Sequence, residues 1–143
     1  MQMQNKGLVF LRYAMALLFI WFGYAQLANS VAWTLFLPAW TASLPISAVL
    51  FVQMNGVMEI VFGMCMFVGF FTRLVSLLLG LHLMIIAVSV GKDIDVALGV
   101  RDAGLAAAAW AIAMNSADEL TVDAKIKSKK LKRSAAAAET AKV

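Results

Sequence analysis

Between Leu8 and Gly91 the chain carries only three formal charges, Arg12, Glu59 and Arg73. A soluble domain of 143 residues needs a charged shell, and a chain that is 63% hydrophobic and 14% charged lacks the residues to build one. The apolar stretches are each about the length that crosses a bilayer, roughly 20 residues. The expected architecture is therefore all-α, an integral membrane four-helix bundle occupying residues 1–116. Its spans are predicted at about 8–28, 46–71, 74–90 and 96–116, and a basic tail follows over 117–143.

The remaining charges crowd into the third loop, the start of the last span and the tail, where KIKSKKLKR places six cations in nine residues. With four spans both termini share one side. That side holds ten of the cations and the other holds only Lys92 and Arg101, so the positive-inside rule predicts cytoplasmic termini in the cell's inner or plasma membrane. The formal net charge of +4 comes mostly from the tail and points to no nucleic-acid partner. The expected partners are the lipid bilayer together with other membrane subunits or further copies of the chain. The N-terminal segment reads as a retained first helix, since no small-residue cleavage site follows a short apolar core.

Cys65 is the sole cysteine, so dithiol redox chemistry on this chain is excluded, and there is no haem, flavin or iron–sulfur motif. Met64-Cys65-Met66 groups soft ligands, but adjacent residues on a helix point apart, and no metal site is assigned.

Glu59 is the residue that demands an explanation. A lone carboxylate in hydrocarbon costs roughly 3 kcal/mol or more, so it must face the protein interior and find a partner there. Asn55, Glu59 and Gly63 recur at helical spacing, with Gly56 on the same side. In the first span Arg12, Ala16, Phe19, Gly23 and Gln26 form a small and polar face suited to helix contact. Counted at 1.5 Å per residue, Glu59 lies on the order of 12 Å in depth from both Arg12 and Arg101, and the sequence does not choose between them. Arg101-Asp102, at the start of the fourth span, is a pair that can satisfy itself or bind something polar.

Three further stretches complete the picture. Asn29–Pro45 is uncharged and contains Trp33, Pro38, Trp40 and Pro45; it is predicted as an interfacial segment anchored by its tryptophans, with a lid over an interhelical pocket as the alternative. Thr72-Arg73 and Gly91–Asp95 are expected as the turns flanking the third span. That span carries the sole histidine, His82, which is expected to be hydrogen-bonded structure.

Arg12…Phe22-Gly23-x-x-Gln26-Leu27, then Trp33…Pro38-x-Trp40…Leu44-Pro45, resembles the first half of the DoxX family of small four-helix membrane proteins. Gly56-x-x-Glu59…Gly63…Gly69-x-x-Thr72-Arg73 is similar to that family's second-helix segment, and Arg101-Asp102-x-Gly104-Leu105 to the fourth-helix start of one branch. Gln26 is a departure, because relatives carry lysine at this place. The resemblance implies association with quinol-oxidase, thiosulfate:quinone oxidoreductase or other membrane redox complexes. The expected role is an accessory or quinone-site subunit, with the electron carrier on a partner. Glu59, Arg101, Asp102, Gln26, Trp40 and Arg12 are the candidate ligand-binding residues, and a quinone is the candidate ligand. A non-enzymatic scaffold or assembly factor is the main alternative, and a small-solute or proton transporter the second.

Overall fold

The computed structural model describes residues 6–115 and 121–140, with side chains described as far as Ser134. Four long apolar helices form the bundle: α1 (Lys6–Ala28), α3 (Ala48–Val68), α4 (Thr72–Asp93) and α5 (Val96–Met114). A short helix, α2 (Ser30–Trp33), and two 3-10 turns (Thr34–Phe36 and Ala39–Ser43) lie between α1 and α3, and α6 (Val122–Thr140) ends the chain. All four bundle helices are long enough to cross a bilayer. Phe10, Leu17, Trp21, Val57, Val61, Leu81, Val88 and Val100 are exposed on their outer faces, as a helical membrane bundle requires.

The helices associate in two pairs, α1 with α3 and α4 with α5, and the pairs meet each other far less extensively. Small residues explain both close contacts. Gly23 of α1 lies against Gly56 of α3, where a Cβ on Gly56 would come within 2.9 Å of the Gly23 carbonyl oxygen. Gly63 sits against Ala16 and Ile20 of α1 in the same way. In the second pair Gly91 and Gly99 meet backbone to backbone, and the Trp110 ring covers Gly80. Apolar side chains gain nothing by leaving lipid for one another, so backbone approach and dispersion must hold such pairs together. Met15, Phe19, Met66, Leu79, Leu83, Ala106 and Ile112 fill the shared core. Met66 is fully buried while Met64 is half exposed, so the Met64-Cys65-Met66 run does not converge on one point.

Element boundaries correct two expectations. The turn between α3 and α4 is Gly69–Phe71, and Thr72 already belongs to α4. Gly69 takes a left-handed φ of 75° as the C-cap of α3, with the Gly69 and Phe70 amides donating to Met66 and Cys65 carbonyls at 3.2 and 2.8 Å. The stretch from Gly91 to Asp93, expected as loop, continues α4, because Gly91 has to stay helical to pack on Gly99. Only Ile94 and Asp95 connect α4 to α5, and Asp95 caps α5 by accepting from the Ala97 and Leu98 amides at 2.6 and 3.2 Å.

The tail begins as part of the bundle. Asp123 caps the start of α4, its two carboxylate oxygens accepting from the Phe71 amide at 2.9 Å and the Thr72 amide at 2.8 Å. Its own amide donates to the Gly69 carbonyl at 3.1 Å, and Thr121 is buried against Gly69. Val122, Asp123 and Ala124 are half-buried; from Lys125 to Ser134 the helix is exposed.

Candidate functional site

The loose seam between the two helix pairs opens into a cavity of about 480 Å³ at the end of the bundle where α1 and α4 finish and α3 and α5 start. Phe22, Trp33, Phe36, Trp40 and Phe51 supply aromatic wall, Leu83, Ile86, Leu98 and Leu105 supply aliphatic wall, and the polar groups are Gln26, Asn55, Glu59, His82, Arg101 and Asp102.

The α2 segment and its two 3-10 turns form the lid. Asn29 caps α2 by accepting from the Ala32 amide at 3.3 Å, and buried Pro38 turns the chain between the 3-10 turns. Trp33 packs edge-on to Phe22 at 5.8 Å between ring centroids, and Trp40 edge-on to Phe51 at 6.0 Å. Two bonds latch the lid onto α4: the Trp40 indole N–H donates to Ser89 Oγ at 3.4 Å, and the Ala39 amide to Asp93 Oδ2 at 3.3 Å. The lid, the alternative reading of this segment, is thus what its place over the cavity and its bonds to α4 show.

At the cavity floor sits Glu59, 4% exposed. Its Oε2 accepts from Gln26 Nε2 at 2.8 Å, and its Oε1 from Asn55 Nδ2 at 3.1 Å. Asn55 Nδ2 also donates to Gln26 Oε1 at 2.8 Å, closing a ring of three side chains across the α1–α3 interface. His82 Nε2, from α4, completes the set 3.3 Å from Oε1. The close approach at Gly23 and Gly56 is what allows Gln26 to reach Glu59, since Gly56 lies against the Gln26 Cβ. The partner of Glu59 is therefore a set of neutral amides and an imidazole; neither Arg12 nor Arg101 forms an ion pair with it.

The other candidates divide accordingly. Arg101 and Asp102 line the cavity, with the Arg101 Nε donating to Asp102 Oδ1 at 2.8 Å. The Asp102 side chain is buried while that of Arg101 is half exposed, its guanidinium 5.9 Å from the Phe22 ring centre. Gln26 and Trp40 are also in the wall. Arg12 is not. It lies at the far end of the bundle, where its Nη1 donates to the Met66 and Phe67 carbonyls at 2.6 and 2.7 Å. These are last-turn carbonyls of α3, the negative end of the helix dipole, so Arg12 braces α1 to α3. Asn55 and His82 are the polar side chains of the cavity that the sequence left without a ligand role; the signal for Asn55 was its place four residues before Glu59.

The sequence model of the DoxX family matches residues 7–92, more than half of the chain. The chain belongs to the DoxX family. That match takes in all but the first residue of α1, the lid, α3 and all but the last residue of α4, hence the part of a DoxX protein that carries Gln26, Trp40, Glu59 and His82. Arg101 and Asp102 fall beyond it. No curated protein and no solved structure matches the chain. Family membership and the four apolar helices together make this a membrane protein.

Proposed function

We propose that this DoxX protein is the quinone-binding accessory subunit of a membrane redox complex. The observation that supports it is the lidded cavity of about 480 Å³, which opens between helix pairs and joins aromatic walls to a hydrogen-bonded polar floor. Its size is that of a small-molecule site, where most of the ligand surface is buried and a few polar groups fix orientation. A quinone ring is flat and apolar on its faces and has oxygen at both ends. The rings of Phe22, Trp33, Trp40 and Phe51 suit the faces, and Arg101 and His82 suit the oxygens. An isoprenoid tail leaves through the seam between the pairs into lipid. With one cysteine and no cofactor motif, the chain needs a partner subunit to exchange electrons with the bound ring.

The test is binding of a short-chain quinone to the purified protein in nanodiscs, followed by quenching of the tryptophans at 33 and 40. Leu105→Trp, which fills the cavity from α5, should weaken binding by at least about tenfold through lost shape complementarity while the protein stays folded. Unsaturable quenching of the wild type, or equal affinity in Leu105→Trp, would sink the proposal.

The Arg12 and Asp123 braces favour a second reading, a scaffold whose buried polar groups serve only the bundle. Under it, Glu59→Gln lowers abundance and the function of the complex falls in strict proportion.

A further inference from the structure

The hydrogen-bond ring around Glu59 leaves a division of labour within the cavity. Glu59 is 4% exposed and its two oxygens already take three donors, so little of the carboxylate is left for a ligand. The His82 side chain is 22% exposed and forms part of the cavity wall. With Glu59 ionised, its oxygens offer acceptors alone, and the hydrogen of the shared bond is then on His82 Nε2. Nδ1 of the same ring then carries the lone pair, and among the described residues it makes no hydrogen bond. The other charged groups facing the cavity are Arg101 and Asp102 of α5; α1 contributes neutral Gln26, and the lid contributes no charge.

We propose that His82 and Glu59 form an acid–base dyad, in which His82 takes the hydroxyl proton of an aromatic ring bound in the cavity and Glu59 holds the imidazole for that task. The inference rests on the quinone-site reading and names which of its residues moves a proton. In the step, the ligand O–H bond breaks and an Nδ1–H bond forms. The electron pair stays on the ligand oxygen, giving a phenolate beside an imidazolium. Imidazole is the side chain suited to exchange a proton near neutral pH, and the bond from Nε2 to Glu59 leaves Nδ1 as the nitrogen able to accept one. Glu59 is here a positioning residue, as the buried acid of a triad is, and Gln26 and Asn55 keep its oxygens aimed. Arg101, in the wall with Asp102, supplies the positive charge that a ring oxygenate would meet.

Because His82 is the sole histidine, labelling histidine with nitrogen-15 reports on this ring alone. In ligand-free protein in nanodiscs the spectrum should show the Nε2–H tautomer, and Glu59→Gln should erase that preference. The probe for the step is nitrohydroquinone, whose phenolate absorbs in the visible. Bound to the wild type it should shift toward phenolate and move the histidine resonances. In His82→Gln the bound phenolate fraction, read at saturating probe so that any loss of affinity does not enter, should fall by about tenfold. Binding with unmoved histidine resonances, or an undiminished phenolate fraction in His82→Gln, overturns the dyad and leaves the cavity as a binding site. Failure of the wild type to bind the probe overturns both. The histidine spectrum needs no variant, so it decides the matter even if His82→Gln does not fold.

Discussion

Replacing Glu59 with leucine leaves the Gln26 amide and the His82 Nε2–H without an acceptor, and Asn55 with Gln26 Oε1 alone. Each stranded donor costs about 1–3 kcal/mol, so Glu59→Leu should lower stability by about 3 kcal/mol or more, whereas Glu59→Gln, which keeps one acceptor oxygen, should lose about 1–2 kcal/mol. Unfolding in detergent followed by circular dichroism checks both; equal stability of the two variants would contradict the network. Arg12→Met removes two charge-assisted bonds to the α3 carbonyls and should lower stability by about 2–3 kcal/mol in the same assay, with quinone affinity unchanged. The sequence made the inward orientation of Glu59 legible, because hydrocarbon offers a carboxylate nothing. It misdirected the search for a partner, since looking for an opposite charge passes over neutral donors. Three such donors a helix turn or a helix apart did the same work. His82 was expected to be hydrogen-bonded, and it is, to Glu59 at 3.3 Å; its place in a cavity wall is what no linear pattern states.

Helix contacts carry the next set of outcomes. A Cβ at Gly23 would collide with the Gly56 carbonyl oxygen and approach the Ile60 backbone, neither of which can move without parting α1 from α3. Gly23→Ala should therefore destabilise by about 2 kcal/mol or more and also break the Gln26–Glu59 bond. Gly104→Ala is the control, because a Cβ there meets nothing within 4 Å; helix propensity alone should stabilise it by up to about 1 kcal/mol. Both are read from unfolding midpoints in detergent. The spans and their small-residue faces were legible in the sequence, since length, hydropathy and helical spacing act locally: Arg12, Ala16, Phe19, Gly23 and Gln26 are all buried on α1. Helix ends were less so. Gly91-Lys92-Asp93 reads as a charged loop until Gly99 is seen against Gly91, a contact between helices that no local pattern contains.

For the whole molecule, what the sequence could not supply is the unequal pairing of the helices, and the cavity is a product of that inequality. Four amphipathic faces do not state which two pairs will close tightly. The tail was placed after the four-helix domain, from residue 117, although a single acidic residue, Asp123, ties its first turn to the start of α4. Asp123→Ala should lower stability by about 1 kcal/mol, the usual loss with a helix cap, visible as faster amide exchange at Phe71 and Thr72. The excess of cations on the side of α6 supports cytoplasmic termini, and a C-terminal reporter active only in the cytoplasm should be active on this chain.

The connections between paired helices differ greatly in length: two residues, Ile94 and Asp95, join α4 to α5, while residues 29–47 separate α1 from α3. Closing a long loop has the larger entropic cost, and it closes more slowly. The α4–α5 hairpin can therefore close cheaply, whereas α1 and α3 meet only once the lid segment between them has been folded over. The Gln26–Asn55–Glu59 ring bridges the pair with the costlier closure. A copy in which α1 and α3 stay apart leaves Glu59 without its Gln26 donor. A carboxylate in hydrocarbon costs roughly 3 kcal/mol or more, so closure of the long loop is driven by the residue that makes an open bundle untenable.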